Sequence, residues 1–169
     1  MLQGDPAAEA SPMSEPRLQR FLHEQGIGFE TIHHARAGTA HATAHSAQLD
    51  DSDLAKTVMV KLDGRMAMVV LGADRRLDLA ALGLATGCET VELAPESEFT
   101  PLFPDCETGA MPPFGNLYGL DVFVEESLSE DEEIAFNAGS HTELIRIPFA
   151  LFEQLVHPKH LRRIGRIAH

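Results

Sequence analysis

KTVMVKLDGRMAMVVLG, residues Lys56–Gly72, decides the fold class. Its two halves are rich in Val and Met, with Thr57 at the start, and β-branched side chains suit an extended backbone. Between them Asp63-Gly64 is a pair that tolerates positive φ at both positions, and a two-residue turn of that kind matches the twist of paired strands. Two antiparallel strands follow, Lys56–Leu62 and Arg65–Gly72. Their apolar residues occupy successive rather than alternate positions, so neither face is left to water. The hairpin therefore belongs in the middle of a sheet covered on both sides.

Downstream, Asp78 offers a side-chain acceptor at the start of a helix carrying Leu79 and Leu82, and Gly87 ends it. Thr90–Leu93 reads as a strand, and Pro95 opens a helix that reaches about Leu102. Pro104–Asn116 holds Gly109, Pro112, Pro113 and Gly115 and reads as a loop. Leu120–Val124 is a strand and Glu125–Glu133 an acidic connection. Ile134–Ala138 and Leu144–Ile147 are strands about a Gly139-Ser140-His141 turn. Phe149–Val156 is a closing helix, ended by Pro158. Upstream, Ser14 and Pro16 start a helix with Leu18, Phe21 and Leu22 at helical spacing and Gly26 as its stop. Phe29, Thr31 and Ile32 form a strand that ends at His33-His34, and Ala-rich His41–Leu49 is a short helix. Helices mixed with hairpin-linked strands, without βαβ alternation, give an α+β domain: a mixed, largely antiparallel sheet flanked by helices.

The chain has 169 residues, 44% of them apolar, enough for one domain with its own core. Residues 1–15 read as a disordered leader, 16–157 as the domain and 158–169 as a basic C-terminal tail. A net charge of −13 argues against a protein that grips nucleic acid along an extended phosphate track. The tail runs against that charge: Lys159, Arg162, Arg163 and Arg166 occur with no acid between His157 and His169. It could meet one stretch of phosphate or be a solvated end. No apolar run spans a bilayer, and the N-terminus lacks the pattern of a secretory signal, so no membrane partner and a cytoplasmic location are expected. Cys88 and Cys106 form no CxxC and read as two separate thiols.

Four features resemble the YbaK family, the prolyl-tRNA synthetase-associated editing domain. Lys56 opens its strand in Ala55-Lys56-Thr57-Val58. Leu71-Gly72-Ala73-Asp74 leads to Leu77-Asp78-Leu79. Gly109 and Pro113 match the family's GxxxP loop within Gly109-Ala110-Met111-Pro112-Pro113-Phe114-Gly115. Asn137-Ala138-Gly139-Ser140-His141 precedes a strand and the last helix. Together they cover roughly Pro16 to Val156. The resemblance implies a curved α+β sheet and hydrolysis of aminoacyl-tRNA, commonly Ala or Cys misattached to tRNA for proline, with no cofactor and no metal. It marks Lys56 as the residue most associated with activity. The acceptor end of aminoacyl-tRNA is the implied partner, and an aminoacyl-tRNA synthetase is left open as a second. His141 and the Pro-rich Met111-Pro112-Pro113 depart from the best-known members, which bears on amino-acid specificity.

These residue types suit the chemistry. An aminoacyl ester is already activated, so an enzyme needs to hold it, place a water and stabilise the oxyanion. Lys56 can set a positive charge at the mouth of a pocket, or be an ordinary solvated lysine. Gly109 lets backbone approach a ligand, and Pro112 and Pro113 stiffen the loop. Gly139 and Ser140 can offer backbone donors, and His141 can orient water. The same loop and bend also read as plain turns. His41 and His45, four apart, with His33-His34 upstream, raise a zinc site, but no HExxH glutamate accompanies them. A non-catalytic tRNA- or synthetase-binding module of the same fold is the alternative function.

Overall fold

The structure, a computed structural model, describes residues 16–167. The leader expected in residues 1–15 therefore lies outside the described residues, as does Ser14. In chain order the elements are α1 (Arg17–Glu24), β1 (Glu30–His33), α2 (Ala40–Ser46), β2 (Leu54–Leu62), β3 (Arg65–Gly72), β4 (Arg75–Leu77), α3 (Leu79–Thr86), β5 (Val91–Leu93), α4 (Glu96–Phe99), β6 (Asp121–Glu125), β7 (Glu133–Ser140), β8 (Glu143–Pro148), α5 (Phe149–Val156), β9 (Lys159–Leu161) and β10 (Gly165–Ile167). The main sheet has the order β1-β8-β7-β2-β3-β6-β9, with β5 also on β2, and β4 pairs with β10 in a separate ribbon. β2–β7, β3–β6 and β6–β9 are parallel, and the other pairings are antiparallel.

The expected hairpin is central, as its two-faced apolar pattern requires. β2 and β3 pair without interruption from Ala55↔Gly72 to Leu62↔Arg65. Asp63 and Gly64 both take positive φ, 49° and 83°, the turn geometry that the strand twist favours. Asp63 does more than turn the chain. Its Oδ1 accepts from the N–H groups of Glu89 and Thr90, and its own N–H donates to Thr90 O. The tip of the hairpin thereby fixes where β5 begins.

Alternation along the strands sends side chains to two cores. On one face Ala55, Met59, Met68, Val70 and Phe136 pack beneath α1, α5 and the 99–114 segment, with Phe114 at the centre. Phe114 is fully buried and sits 5.5 Å from the Phe136 ring and 5.7 Å from Phe152. On the other face Leu54, Ala135 and Leu144 pack beneath α2, while Val60, Val69 and Leu71 pack beneath α3 and the β4–β10 ribbon. Asp78 caps α3 by accepting from Ala81 N–H, and Gly87 closes it at φ 75°. No helix among the described residues is long and apolar enough to cross a membrane.

Three details differ from the sequence reading. Pro16 is the N-cap of α1 rather than its first residue, and it supplies no side-chain acceptor. β7 runs through Ser140, so the turn falls at His141-Thr142 and Gly139 lies within a register shift of the β7–β8 pair. The residues after Pro158, read as a tail, are built into the fold: β9 adds to β6 and β10 to β4. The physical reason is Ile164, an apolar residue among the arginines that is fully buried and whose carbonyl accepts from Asp78 N–H. Ile164→Ala should lower the unfolding free energy by about 2–5 kcal/mol, the cost of emptying a core site. Urea denaturation measures it, and a loss below about 0.5 kcal/mol, the range of surface changes, would show that the segment is a tail after all.

Candidate active site

The candidate site starts from a shortage of partners along one edge of β2. On that edge β7 pairs only with Leu54 and Ala55, and β5 pairs only with Val60–Leu62, with Ala94 N–H donating to Met59 O. Neither strand covers Lys56–Val58. Backbone groups alternate in direction along a strand. Since the Met59 carbonyl points to this edge, so do the N–H and C=O of Thr57. Each neighbour leaves for a definite reason. β5 is held at the hairpin tip by Asp63. β7 is diverted at its register shift, where Gly139 takes φ 98° and donates its N–H to Ala110 O instead of continuing along β2.

Lys56 stands where the β7 ladder stops. It shares a face with Leu54 and Val58, and its cross-strand partner is Leu71. It is half-buried, and burial first, then the guanidinium of Arg76, lower its pKa from the ordinary lysine value, with Asp74 acting in the opposite direction. An ammonium that has lost part of its hydration interacts more strongly with a developing anion than one in bulk water. Ala55 is level with Phe136, so Lys56 is level with Asn137, and Gly139 lies two residues further on, about 7 Å along the strand. Asn137 shares the face of Ala135, and its Oδ1 is buried without a hydrogen-bond partner.

The 139–142 bend is tied to the loop before Pro113. Glu107 N–H donates to Gly139 O, and the Glu107 carboxylate accepts from His141 N–H and from Arg36. Those donors, Arg36 first, hold Glu107 below the usual carboxylate range. His141 Nε2 lies 2.8 Å from Thr108 O. A carbonyl only accepts, so Nε2 carries the proton and Nδ1 is the ring's basic nitrogen. The imidazole lies against Gly109, where a β-carbon would come 3.5 Å from Cε1. His34 borders the bend from the other side: its N–H donates to Thr142 O, and Ala37 N–H donates to His141 O. His34 Nδ1 donates to Ala35 O, and its Nε2 is buried without a partner.

Behind the bend, Asp105 accepts from Arg17 N–H and Tyr118 OH. Burial alone would raise the Asp105 pKa; these bonds outweigh it and hold the carboxyl low. Cys106, packed 3.6 Å from where a Gly139 β-carbon would stand, is pushed up to about 11, by burial above all and against its hydrogen bond with Tyr118. A thiol so placed is protonated at neutral pH and is no nucleophile.

Of the six residues singled out in the sequence, Gly109, Gly139, Ser140 and His141 are brought together by this network. Lys56 joins them through the β2–β7 neighbourhood. Pro113 is buried beside Phe114 and stiffens the loop from the core side. Five surface cavities of 270–470 Å³ are lined by other residues, and none of the six lines any of them. Ser140 Oγ is engaged locally, 3.3 Å from Thr142 Oγ1. His41 Nδ1 is 2.7 Å from Asp51, and no group of three or more His, Cys, Asp or Glu among the described residues is placed to hold a metal.

The model of the aminoacyl-tRNA editing domain matches residues 34–155. The chain belongs to that family. Among solved structures, this editing domain is similar to a protein proposed as a trans-editing enzyme for prolyl tRNA synthetase, with TM-score 0.76 and 20% identity over 91% of this chain and 98% of that one. It is similar to the hypothetical protein APE2540, with TM-score 0.77 and 16% identity over 88% and 99%. A scaffold used for epitope grafting by computational design also matches, with TM-score 0.76 and 19% identity over 90% and 97%. At these identities the structures share the fold. No curated protein sequence matches the editing domain.

Sequence reasoning passed over Asn137, Asp74, Arg76 and Glu107 as site residues, and it read His34 only as a metal ligand. Their roles come from cross-strand level and from loops closing in space, which no local motif encodes. Two of them carried a signal: Asn137, as the first residue of the segment that ends in His141, and Asp74, as the last of Leu71-Gly72-Ala73-Asp74. For Cys106, alkylation by iodoacetamide at pH 8 should run roughly a hundredfold slower than for a free cysteine, as two pKa units of lost thiolate require. Peptide mass spectrometry over time measures it. Labelling at the free-cysteine rate would contradict the buried network.

Proposed function

We propose that this editing domain is an aminoacyl-tRNA deacylase. It hydrolyses the ester of a small amino acid such as Ala or Cys misattached to tRNA for proline. The observation that carries the reading is the half-buried cation of Lys56 at a strand edge that neither β5 nor β7 covers. The ester lies along that edge, with the outward backbone groups of Thr57 as its anchors. Lys56 donates to the oxyanion that forms when water attacks, and one well-aimed donor of this kind contributes about 3 kcal/mol. His141, oriented by Thr108, presents Nδ1 to the water. Gly109 keeps the loop close by placing no side chain against the imidazole, and the buried Pro112-Pro113 pair keeps the loop stiff enough to reject larger amino acids. Membership of the editing family and the likeness to the trans-editing protein support the reaction class. The amino acid rests on the family resemblance.

Lys56→Ala should lower the single-turnover deacylation rate at least a hundredfold, the scale of a lost oxyanion donor. Circular dichroism and the melting temperature should stay near wild type, because the replaced group is a half-exposed cation. A panel of tRNAs, each charged with Ala, Cys, Ser, Thr or Pro, identifies the substrate. Unchanged turnover in the variant would remove Lys56 from the chemistry. No turnover of any charged tRNA by wild type would favour the non-catalytic binding module.

Only the ammonium form sets a positive charge against the oxyanion, so the enzymatic rate above spontaneous hydrolysis should fall as pH rises through the Lys56 pKa, at a pH below the usual lysine range. Arg76→Gln removes a charge that lowers this pKa and should move the alkaline limb to higher pH. Asp74→Asn removes a charge that raises it and should move the limb to lower pH. Opposite shifts, or none, in the pH–rate profiles would mean that the limb belongs to another group.

A further inference from the structure

The chain carries thirteen Lys and Arg against twenty-six Asp and Glu, yet five of its arginines gather at one place. Arg75, Arg162, Arg163 and Arg166 line a cleft of about 410 Å³, together with Glu125, Glu126 and Glu130. Arg76 stands directly opposite Arg166 in the β4–β10 ribbon. Like charges facing each other across a strand pair are destabilising, so the ribbon keeps an arrangement that an anion would relieve. The ion pairs present compensate it only weakly. Arg75 Nε is 3.9 Å from Asp74, too far for a hydrogen bond, and is buried without one. Arg162 is 2.6 Å from Glu126 and Arg166 is 3.4 Å from Asp78, but both guanidiniums are more than three-quarters exposed, and exposed pairs contribute about 0–1 kcal/mol. Arg163 is exposed as well.

The position of the cleft relative to Lys56 says what the anion is. Lys56 pairs with Leu71, and the next strand brings Glu125 level with Leu71, because Val70 pairs with Val124. Lys56 and Glu125 thus lie on the same sheet face about 10 Å apart, two strand spacings. The ribbon lies over the residue between them: a β-carbon on Gly165 would come 3.1 Å from Leu71 Cδ1. Leu71 itself is fully buried, so an anionic chain that places its end at Lys56 and leaves on this side passes over the ribbon and meets the arginines within its last few units.

We propose that the arginine cleft between β10 and the Glu125–Glu130 turn binds the phosphates of the tRNA 3′ strand that lead to the ester. This rests on the deacylase reading, and it names the second half of the same substrate site. Guanidinium forks match phosphate oxygens, and the acidic surface elsewhere keeps the nucleic acid from binding in other orientations. Glu126 holds Arg162 in place until phosphate competes for it.

The test is binding of an uncharged RNA hairpin that copies the acceptor stem with its single-stranded 3′ end. Fluorescence anisotropy follows it between 50 and 200 mM salt. Arg163→Gln should weaken binding and lower the slope of log K against log salt by roughly 0.7–1, and Arg162→Gln/Arg163→Gln/Arg166→Gln should lower it by about 2–3. Arg65→Gln, an exposed arginine beside the hairpin turn and outside the cleft, removes the same single charge and should change neither. No binding by wild type, equal affinity and slope in the arginine variants, or an equal loss in Arg65→Gln would overturn the proposal. Deacylation by Lys56→Ala separates the two ideas. If that variant hydrolyses normally while the arginine variants lose RNA binding, the cleft stands and the catalytic reading falls. If it is inactive while the arginine variants bind as wild type, the reverse holds.

Discussion

A strand has two edges, and in this molecule β2 must share one of them between two neighbours that arrive from opposite ends. β5 is pinned at the hairpin turn because the Asp63 carboxylate takes two backbone N–H groups there. β7 joins at the other end and then turns away, because Gly139 gives its N–H to the 107–110 loop. On that edge the stretch between them, Lys56–Val58, has no ladder, although β3 covers its other edge. Unpaired backbone inside a domain is costly unless something polar reaches it, and a ligand is one such partner.

The rest of the site follows from that gap. Burial takes part of the water from Lys56, and Arg76 and Asp74 bracket its charge from either sign. The bend that β7 makes is not floppy: Glu107 binds it at two atoms, donating its own N–H to Gly139 O and accepting from His141 N–H through a carboxylate that Arg36 also holds. Phe114 and its aromatic neighbours hold the far half of the same loop in the core. The bend and the hydrophobic core are joined through a few residues of loop, so a change in the core would be felt at the proposed site.

Much of the fold was legible. The Asp63-Gly64 turn, the doubly apolar strands beside it, the Asp78 cap and the Phe149–Val156 helix all sit where local chemistry puts them. The extent of β7 was not, since Gly139-Ser140 has the composition of a turn and only its cross-strand partners make it part of a strand. The end of the chain was misleading for a related reason. Arginines dominate residues 162–166 and suggest solvent, whereas a single buried Ile164 decides that the segment folds back. At the site, Lys56, Gly109 and the 139–141 segment could be quoted from motifs. Asn137, Arg76 and the partnering of His141 with Thr108 depend on which strands lie side by side, and one-dimensional pattern carries no such information.

The central claim is spatial: the 3′ end of a charged tRNA seats on the open edge of β2. A non-hydrolysable analogue, adenosine with alanine joined to its ribose through an amide in place of the ester, tests it directly in an NMR titration of backbone amides. Binding should move the signals of Thr57, Gly109 and the Asn137–His141 segment together and leave the hairpin-turn cavity around Cys88 and Phe123 unmoved. Perturbation confined to that cavity, with the β2 edge silent, would contradict the account.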